Sequence, residues 1–391
     1  MLHRRTLAPR SLCFLSLALL LPACGPKQTT PPTTPPVAEP VAAPVDPIPE
    51  GFFTLNPQIV VPDVDAAVEF YAAGLGAQTL YTMPGPDGAT MHAEIRIGDS
   101  VIMVEREDVE RGLKSPLELG GTPATLMTFV EDVDAVYAAA VAAGAVATMP
   151  VEDQFWGDRY GELLDPAGHR WALATHVEDL TDEQMAQRAE LAMAVDPKAK
   201  KKKAKKSKKP APPPKWKEIA GTPATDPTPD EYHTVNIALT TADATAAIAY
   251  YKAAFGAQDK ALMPGPGGKV MHAELTIGDS VLMLSDEFPE MGGTSATTLG
   301  GSPLHVHMYT TDADAAFAQA VESGGVAGAP MADTFWGDRY GMVVDVAGFV
   351  WGVATHIEDV TPEQMEERMK AQMSAPGPEA GAGDAEPAPP A

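Results

Sequence analysis

The stretch Phe-Trp-Gly-Asp-Arg-Tyr-Gly runs from Phe155 to Gly161 and returns unchanged from Phe335 to Gly341, 180 residues later. The same interval separates Met83 to Pro86 from Met263 to Pro266, Met91 to Glu94 from Met271 to Glu274, and Ala174 to His176 from Ala354 to His356. An offset that never changes leaves no room for insertions, so the chain holds two copies of one unit, and self-similarity of this kind outranks any local reading. The copies are bounded at residues 53–194 and 232–374. Units of this size bury enough surface to fold without disulfide or metal staples.

The flanks have a different character. Arg4, Arg5 and Arg10 precede an apolar run from Leu12 to Leu21, which is followed by Leu21-Pro22-Ala23-Cys24. This resembles a bacterial lipoprotein signal: residues 1–23 are removed and Cys24 becomes the lipidated first residue of the mature chain. The expected location is then the cell envelope, with Gly25 after the cysteine favouring the outer membrane. Cys13 and Cys24 are the only cysteines, so on this reading no thiol remains for a disulfide or for catalysis. Residues 24–52 are a Pro/Thr-rich tether, extending at most about 3.1 Å per residue. Residues 195–231, rich in Lys and then Pro, and the tail 375–391 are expected to carry no fold.

Net charge is −25, yet Lys is concentrated between Lys198 and Lys217. The remainder is more acidic than the total suggests, which argues against nucleic acid as a partner. The run from Lys198 to Lys209 reads either as a solvated linker that folds back on the acidic domains of its own chain or as a segment attracted to anionic lipid head groups or an anionic envelope polymer, at roughly 1 kcal/mol per Lys at low salt.

Within each copy the pattern β, α, β, β, β occurs twice. In the first copy Thr54 to Val61 reads as a strand and Asp63 as the cap of a helix ending near Gly76. Gln78 to Met83 follows as a strand, and Thr90 to Ile97 with Ser100 to Val104 as a hairpin. Thr125 to Val130 opens the second round, and Asp132 caps its helix. Strands near Ala147, Glu162 to Asp165 and Arg170 to Thr175 complete it. Thr181 with Gln184, and Thr361 with Gln364, have capping-box spacing for a closing helix. The class is α+β.

Two βαβββ modules per copy, Asp63 to Tyr71 in the first helix, and the heptapeptide ahead of Asp165 to His169 resemble the vicinal oxygen chelate superfamily, in its PhnB-like glyoxalase and bleomycin-resistance branch. The resemblance implies tandem domains, each a curved mixed-sheet cup, that pair with one another within the chain. In metal-using members the ligands sit on strands one, four, five and eight. Carried over, those positions fall on Asn56 or Asn236, Met103 or Met283, Met127 or His307, and Ala172 or Gly352. Only His307 is a good ligand, so the usual four-ligand centre is not expected. A non-standard divalent site in the second copy would draw on His307, His305, His272 and Glu274. His92 with Glu94, His176 with Glu178 and His356 with Glu358 are weaker pairs of the same kind, and His92 and His176 also read as hydrogen-bonded structural residues at a sheet rim.

The heptapeptide allows two readings. In one, Phe155, Trp156 and Tyr160, and likewise Phe335, Trp336 and Tyr340, wall a ligand cleft, with Arg159 and Arg339 as anion anchors. In the other it is a structural loop pinned by an Asp-Arg pair. The expected function is a membrane-anchored envelope lipoprotein that binds a small molecule. The alternatives are a metal-dependent lyase or isomerase of glyoxalase type and a non-catalytic envelope scaffold.

Overall fold

The computed structural model describes residues 45–194 and 214–374. The signal segment, Cys24, the tether up to residue 44, the run Lys198 to Lys209 and the tail lie outside the described residues. Among the described residues, no helix is long and apolar enough to cross a membrane.

The first copy comprises β1 (Leu55–Val61), α1 (Val64–Leu75), β2 (Gln78–Pro84), β3 (Thr90–Ile97), β4 (Ser100–Arg106), β5 (Ala124–Phe129), α2 (Val133–Ala142), β6 (Val146–Asp153), β7 (Asp158–Leu164), β8 (Arg170–His176), the two-residue β9 (Glu178–Asp179) and α3 (Asp182–Met193). After β10 (Thr222–Pro223) the second copy repeats the order. It comprises β11 (Val235–Thr241), α4 (Ala244–Phe255), β12 (Gln258–Pro264), β13 (Val270–Ile277), β14 (Ser280–Asp286), β15 (Leu304–Tyr309), α5 (Ala313–Glu322), β16 (Val326–Asp333), β17 (Asp338–Val344), β18 (Val350–His356) and α6 (Pro362–Ser374).

The ends of these elements follow from local chemistry. Asp63, Asp132, Asp243 and Asp312 each accept the backbone N–H three residues on, satisfying a donor that the first helical turn leaves open. The capping boxes at Thr181 with Gln184 and at Thr361 with Gln364 are both made. From Pro214 the connecting segment has structure, contrary to the expectation for residues 195–231. Trp216 is buried beneath α3, with the Arg188 guanidinium 5.3 Å from its ring centroid and donating Nε–H to the Ile219 carbonyl at 2.7 Å.

Two eight-stranded mixed sheets result, and each takes strands from both copies. The first runs β16-β17-β18-β15-β1-β4-β3-β2 and the second β12-β13-β14-β11-β5-β8-β7-β6. The N-terminal module of one copy thus shares a sheet with the C-terminal module of the other. At the seams β1 pairs antiparallel with β15, Asn56 opposite His307, and β11 with β5, Asn236 opposite Met127. The helices keep to their own copy: Gly74 of α1 packs on Ala140 of α2, and the Tyr250 hydroxyl of α4 donates to the Ala320 carbonyl of α5. Tyr71 and Trp171 both donate to Asp165, and His169 Nε2 meets the Val60 carbonyl at 2.8 Å, so each copy's modules are tied beneath the sheets as well. Trp171 and Trp351 are fully buried there, as expected of core residues.

The copies also interlock through their hairpins. Asp99 and Ser100 accept the backbone N–H groups of Thr234 and Val235 at 2.8 and 2.9 Å; Asp279 and Ser280 do the same for Thr54 and Leu55 at 2.8 and 3.0 Å. Gly98 and Gly278, both at φ +58, turn these hairpins, and a Cβ on either would overlap the threonine it faces. Gly88 also has positive φ but open space around it. Gly98→Ala and Gly278→Ala should therefore each lower stability in urea by about 1–3 kcal/mol more than Gly88→Ala, the excess being the clash at the seam. Equal effects at the three positions would show that the hairpins do not bear on the join.

Candidate functional site

Side chains alternate between the two faces of a strand, and this period sorts the sheet residues. Ile59, Val61, Ile102, Val104, Leu304, Val306, Met308, Val343, Trp351 and Val353 belong to the core beneath the helices. The intervening residues face the opposite side. The first sheet curls there: Glu94 and His92 on β3 act electrostatically on His307 of β15, three strands away, and Glu105 on β4 acts on Tyr340 of β17. Across a flat sheet those strands would be some 14 Å or more apart, at about 4.8 Å per strand. Each sheet thus encloses a cup built by both copies.

The heptapeptide is divided by the same alternation. Its last four residues open β7 and β17 rather than forming a loop. Arg159 and Arg339 fall on the helix side, where Arg159 holds Asp134 of α2 and Asp153, and Arg339 holds Asp314 of α5 and Asp333. The anion anchors expected from sequence are therefore not in the cups. Asp158 and Asp338 do not pair with these arginines. They accept from Trp156 and Trp336 Nε1, each at 2.9 Å, and meet His176 and His356 Nδ1 at 2.8 and 2.9 Å. Gly157 is at φ +105, and a Cβ there would run into the Glu178 carbonyl oxygen. Trp156 and Trp336 pack edge-on between Phe155 and Tyr160 and between Phe335 and Tyr340. Of the eight residues expected to touch a ligand, Tyr160 and Tyr340 point into the cups, the phenylalanines and tryptophans stand half-buried beside them, and the arginines brace helices.

The metal candidates separate in the same way. His305 and His307 are on β15 in the first sheet, whereas His272 and Glu274 are on β13 in the second. Exchange of modules brings the first copy's His92 and Glu94 to His307 instead. At the family's ligand positions the first cup presents Asn56, Met103, His307 and Gly352. Asn56 is engaged by its own turn, accepting from Phe53 N–H at 3.1 Å and donating to the Phe53 carbonyl at 2.7 Å. Among the described residues no group of three or more His, Cys, Asp or Glu side chains is arranged to hold a metal ion. The donor set does not fit the family's centre.

The repeat supplies an internal comparison of the two cups. The second is closed by apolar packing: Met127, Phe129, Ala172, Ala174, Val281 and Met283 form one buried cluster with Tyr160, Tyr232 and Ala238 against it. Its polar groups satisfy one another. Tyr160 donates to Glu162 at 2.7 Å, Arg170 holds the other oxygen of Glu162 at 3.1 Å, and Glu274 receives the Tyr232 hydroxyl at 2.5 Å and His272 Nε2 at 2.9 Å.

In the first cup five cup-facing positions carry a larger or more polar side chain: Gln58 for Ala238, Glu105 for Ser285, His305 for Thr125, His307 for Met127, and Tyr309 for Phe129. Glu105 Oε1 accepts from Gln58 at 3.1 Å and meets His92 Nδ1 at 2.7 Å. Tyr309 donates to Asp338 at 3.0 Å. Gly352 replaces Ala172, and a Cβ there would come within 2.8 Å of the Tyr340 ring; without it Tyr340 lies over β18 and stacks on His307, centroids 5.6 Å apart at 20°. His307 is 5 % exposed, and its Nε2 is buried without a hydrogen-bond partner. Sequence reasoning missed Gln58 and Glu105. Their signal was available as cup-facing positions where one copy is polar and the other small.

The cup's histidines titrate far apart. Burial pushes His305 and His307 down to about 4, so both are neutral. At His92 burial opposes the charge, but Glu105 and Glu94 outweigh it and raise the ring to about 10. Burial lowers His169 beneath the sheet, against the opposing pull of Asp165.

The family model for the Glyoxalase/Bleomycin resistance protein/Dioxygenase superfamily matches residues 54–173 and 233–353. The chain is similar to an uncharacterised protein of Mycobacterium bovis, 42 % identical over 135 residues, or 34 % of this chain and 88 % of the relative. An uncharacterised protein of Mycobacterium tuberculosis matches at the same identity over 79 % of its length. Among solved structures it is similar to glyoxalase I from Zea mays, at 14 % identity and TM-score 0.48, over 82 % of this chain and 97 % of that one. It is also similar to TioX from Micromonospora sp. ML1, at 29 % identity and TM-score 0.26, over 31 % and 95 %.

The pH dependence follows from these shifts. The unfolded chain protonates its histidines below about 6.5, while folded His305 and His307 resist until about 4. Their neutral burial therefore destabilises the fold progressively as pH falls from about 6.5 toward 4. His92 works oppositely: its contribution is full below about 6.5 and is lost as pH rises toward 10. Imidazole NMR at neutral pH should show His305 and His307 neutral and His92 charged. His307→Met should flatten the acid limb of the stability curve; an unchanged limb would contradict the burial of a neutral ring.

Proposed function

The chain belongs to the Glyoxalase/Bleomycin resistance protein/Dioxygenase superfamily, and from that membership we propose that it is a small-molecule-binding protein whose ligand site is the first cup, formed by Leu55–Arg106 and Leu304–His356. The observation that carries this reading is His307 Nε2, buried and unpartnered at the seam of the two copies. A polar atom left in that state costs about 1–3 kcal/mol, and a ligand that hydrogen-bonds to it recovers the loss. The second cup, whose centre is closed by side chains, acts as the structural counterweight to which the first is joined.

In this reading the protein works in the envelope, exported and held by a lipid on Cys24. What supports this is the order Arg4 to Arg10, Leu12 to Leu21 and Cys24. The run from Lys198 to Lys209 adds attraction to anionic surfaces there.

The test is a small-molecule screen by thermal shift on the full chain, repeated on His307→Met and, in the second cup, Glu162→Gln. A true ligand at hundredfold excess over its Kd stabilises by about 2.7 kcal/mol. The shift should vanish in His307→Met and persist in Glu162→Gln. Ligands that respond only to the second-cup change would overturn the assignment.

A further inference from the structure

The proposed ligand site also has a definite charge preference, visible when Glu94 is set beside its counterpart Glu274. Glu274 is held by the Tyr232 hydroxyl at 2.5 Å and by His272 Nε2 at 2.9 Å. In the first cup Phe52 occupies the position of Tyr232, so the hydroxyl donor is gone. What remains to Glu94 is His92 Nε2 at 3.8 Å, beyond hydrogen-bonding reach. His92 is committed instead to Glu105 through Nδ1 at 2.7 Å. One imidazolium therefore faces two carboxylates beside the unpartnered His307 ring, and Glu94 is left without a hydrogen-bond donor.

Among the described residues no guanidinium pairs with Glu94 or Glu105. Arg339 is on the helix side with Asp314 and Asp333, and Arg106 is held by Asp87. Arg96, further along β3, lies with its Nη2 against Gly51. The remaining surroundings are aromatic. Phe52 packs edge-on against Tyr309, centroids 5.5 Å apart, and Tyr340 covers His307.

We propose, resting on the first cup being the ligand site, that its ligand is a small organic cation: a primary ammonium that donates to Glu94, on an apolar or aromatic body seated among Phe52, Tyr309 and Tyr340, with one polar group meeting His307 Nε2. A carboxylate loses an uncompensated charge penalty when such a donor arrives, and aromatic faces attract cations further. The same chemistry disfavours anions of equal size, the reverse of what an arginine-lined cup would select.

Isothermal titration of the full chain at pH 7 and low salt with benzylamine, benzyl alcohol and benzoate tests this. Benzylamine should bind at least tenfold more tightly than the other two. Glu94→Gln, which keeps the shape, should abolish that preference, and Phe52→Tyr, which returns the hydroxyl to Glu94, should weaken benzylamine at least tenfold. Benzyl alcohol or benzoate binding as tightly as benzylamine, and lost in His307→Met, would overturn the cation and leave the cup as a ligand site. So would benzylamine binding unchanged by Glu94→Gln. Binding of none of the three, or binding indifferent to His307→Met, would count against the cup itself.

Discussion

The antiparallel pairing of β1 with β15, and of β11 with β5, is the contact on which everything else depends. Either module alone offers a four-stranded sheet with one edge open at β1, β5, β11 or β15, and an open edge must pair or be covered. Here each of these four inner edges is closed by a module of the other copy, and β2, β6, β12 and β16 are the outer edges. The helices hold a copy together on one side while the strands join the copies on the other. A single core cluster draws residues from both. The two repeats are two domains in sequence and, over residues 45–194 and 214–374, one interlocked body in space.

This exchange decides which side chains meet. His307 lies opposite Asn56 across a seam that spans 251 residues of sequence. Its neighbours across the cup, His92, Glu94 and Glu105, all come from the first copy. Had the modules paired within a copy, His307 would have faced His272 and Glu274. The polar cup is a product of both copies, and so is the apolar one.

Much of this was legible in the chain. The fixed offset, the alternation of β1 or β15, the aspartate caps and the capping boxes predict the elements closely, because each rests on local backbone chemistry. The partner of each sheet edge was not legible: β5 and β15 have the same spacing and length, and nothing local distinguishes Asn56 from Asn236 as the neighbour of His307. Arg159 and Arg339 were misplaced for a smaller reason. A strand beginning at Asp158 rather than Glu162 puts Arg159 on the helix face and Tyr160 in the cup, and a few residues of strand boundary reverse the role of an arginine.

The repeat also separates scaffold from function more sharply than a single domain could. Residues kept in both copies turn out to hold the fold: Asp158 and Asp338 gather Trp and His, Gly157 and Gly337 admit a carbonyl, and Asp165 and Asp345 collect Tyr and Trp hydroxyl and indole protons. The heptapeptide is prominent in sequence for that reason, and it is mostly framework. One group of differences lies on a single surface. Gln58, Glu105, His305, His307 and Tyr309 all face the first cup, and their counterparts are small, apolar or both. Larger polar groups set on one concave face cost stability wherever they lack partners. The second cup carries polar groups too, but Tyr160, Glu162 and Arg170, and Tyr232, His272 and Glu274, satisfy one another. The unpartnered imidazole is then best understood as half of an interaction whose other half is a ligand.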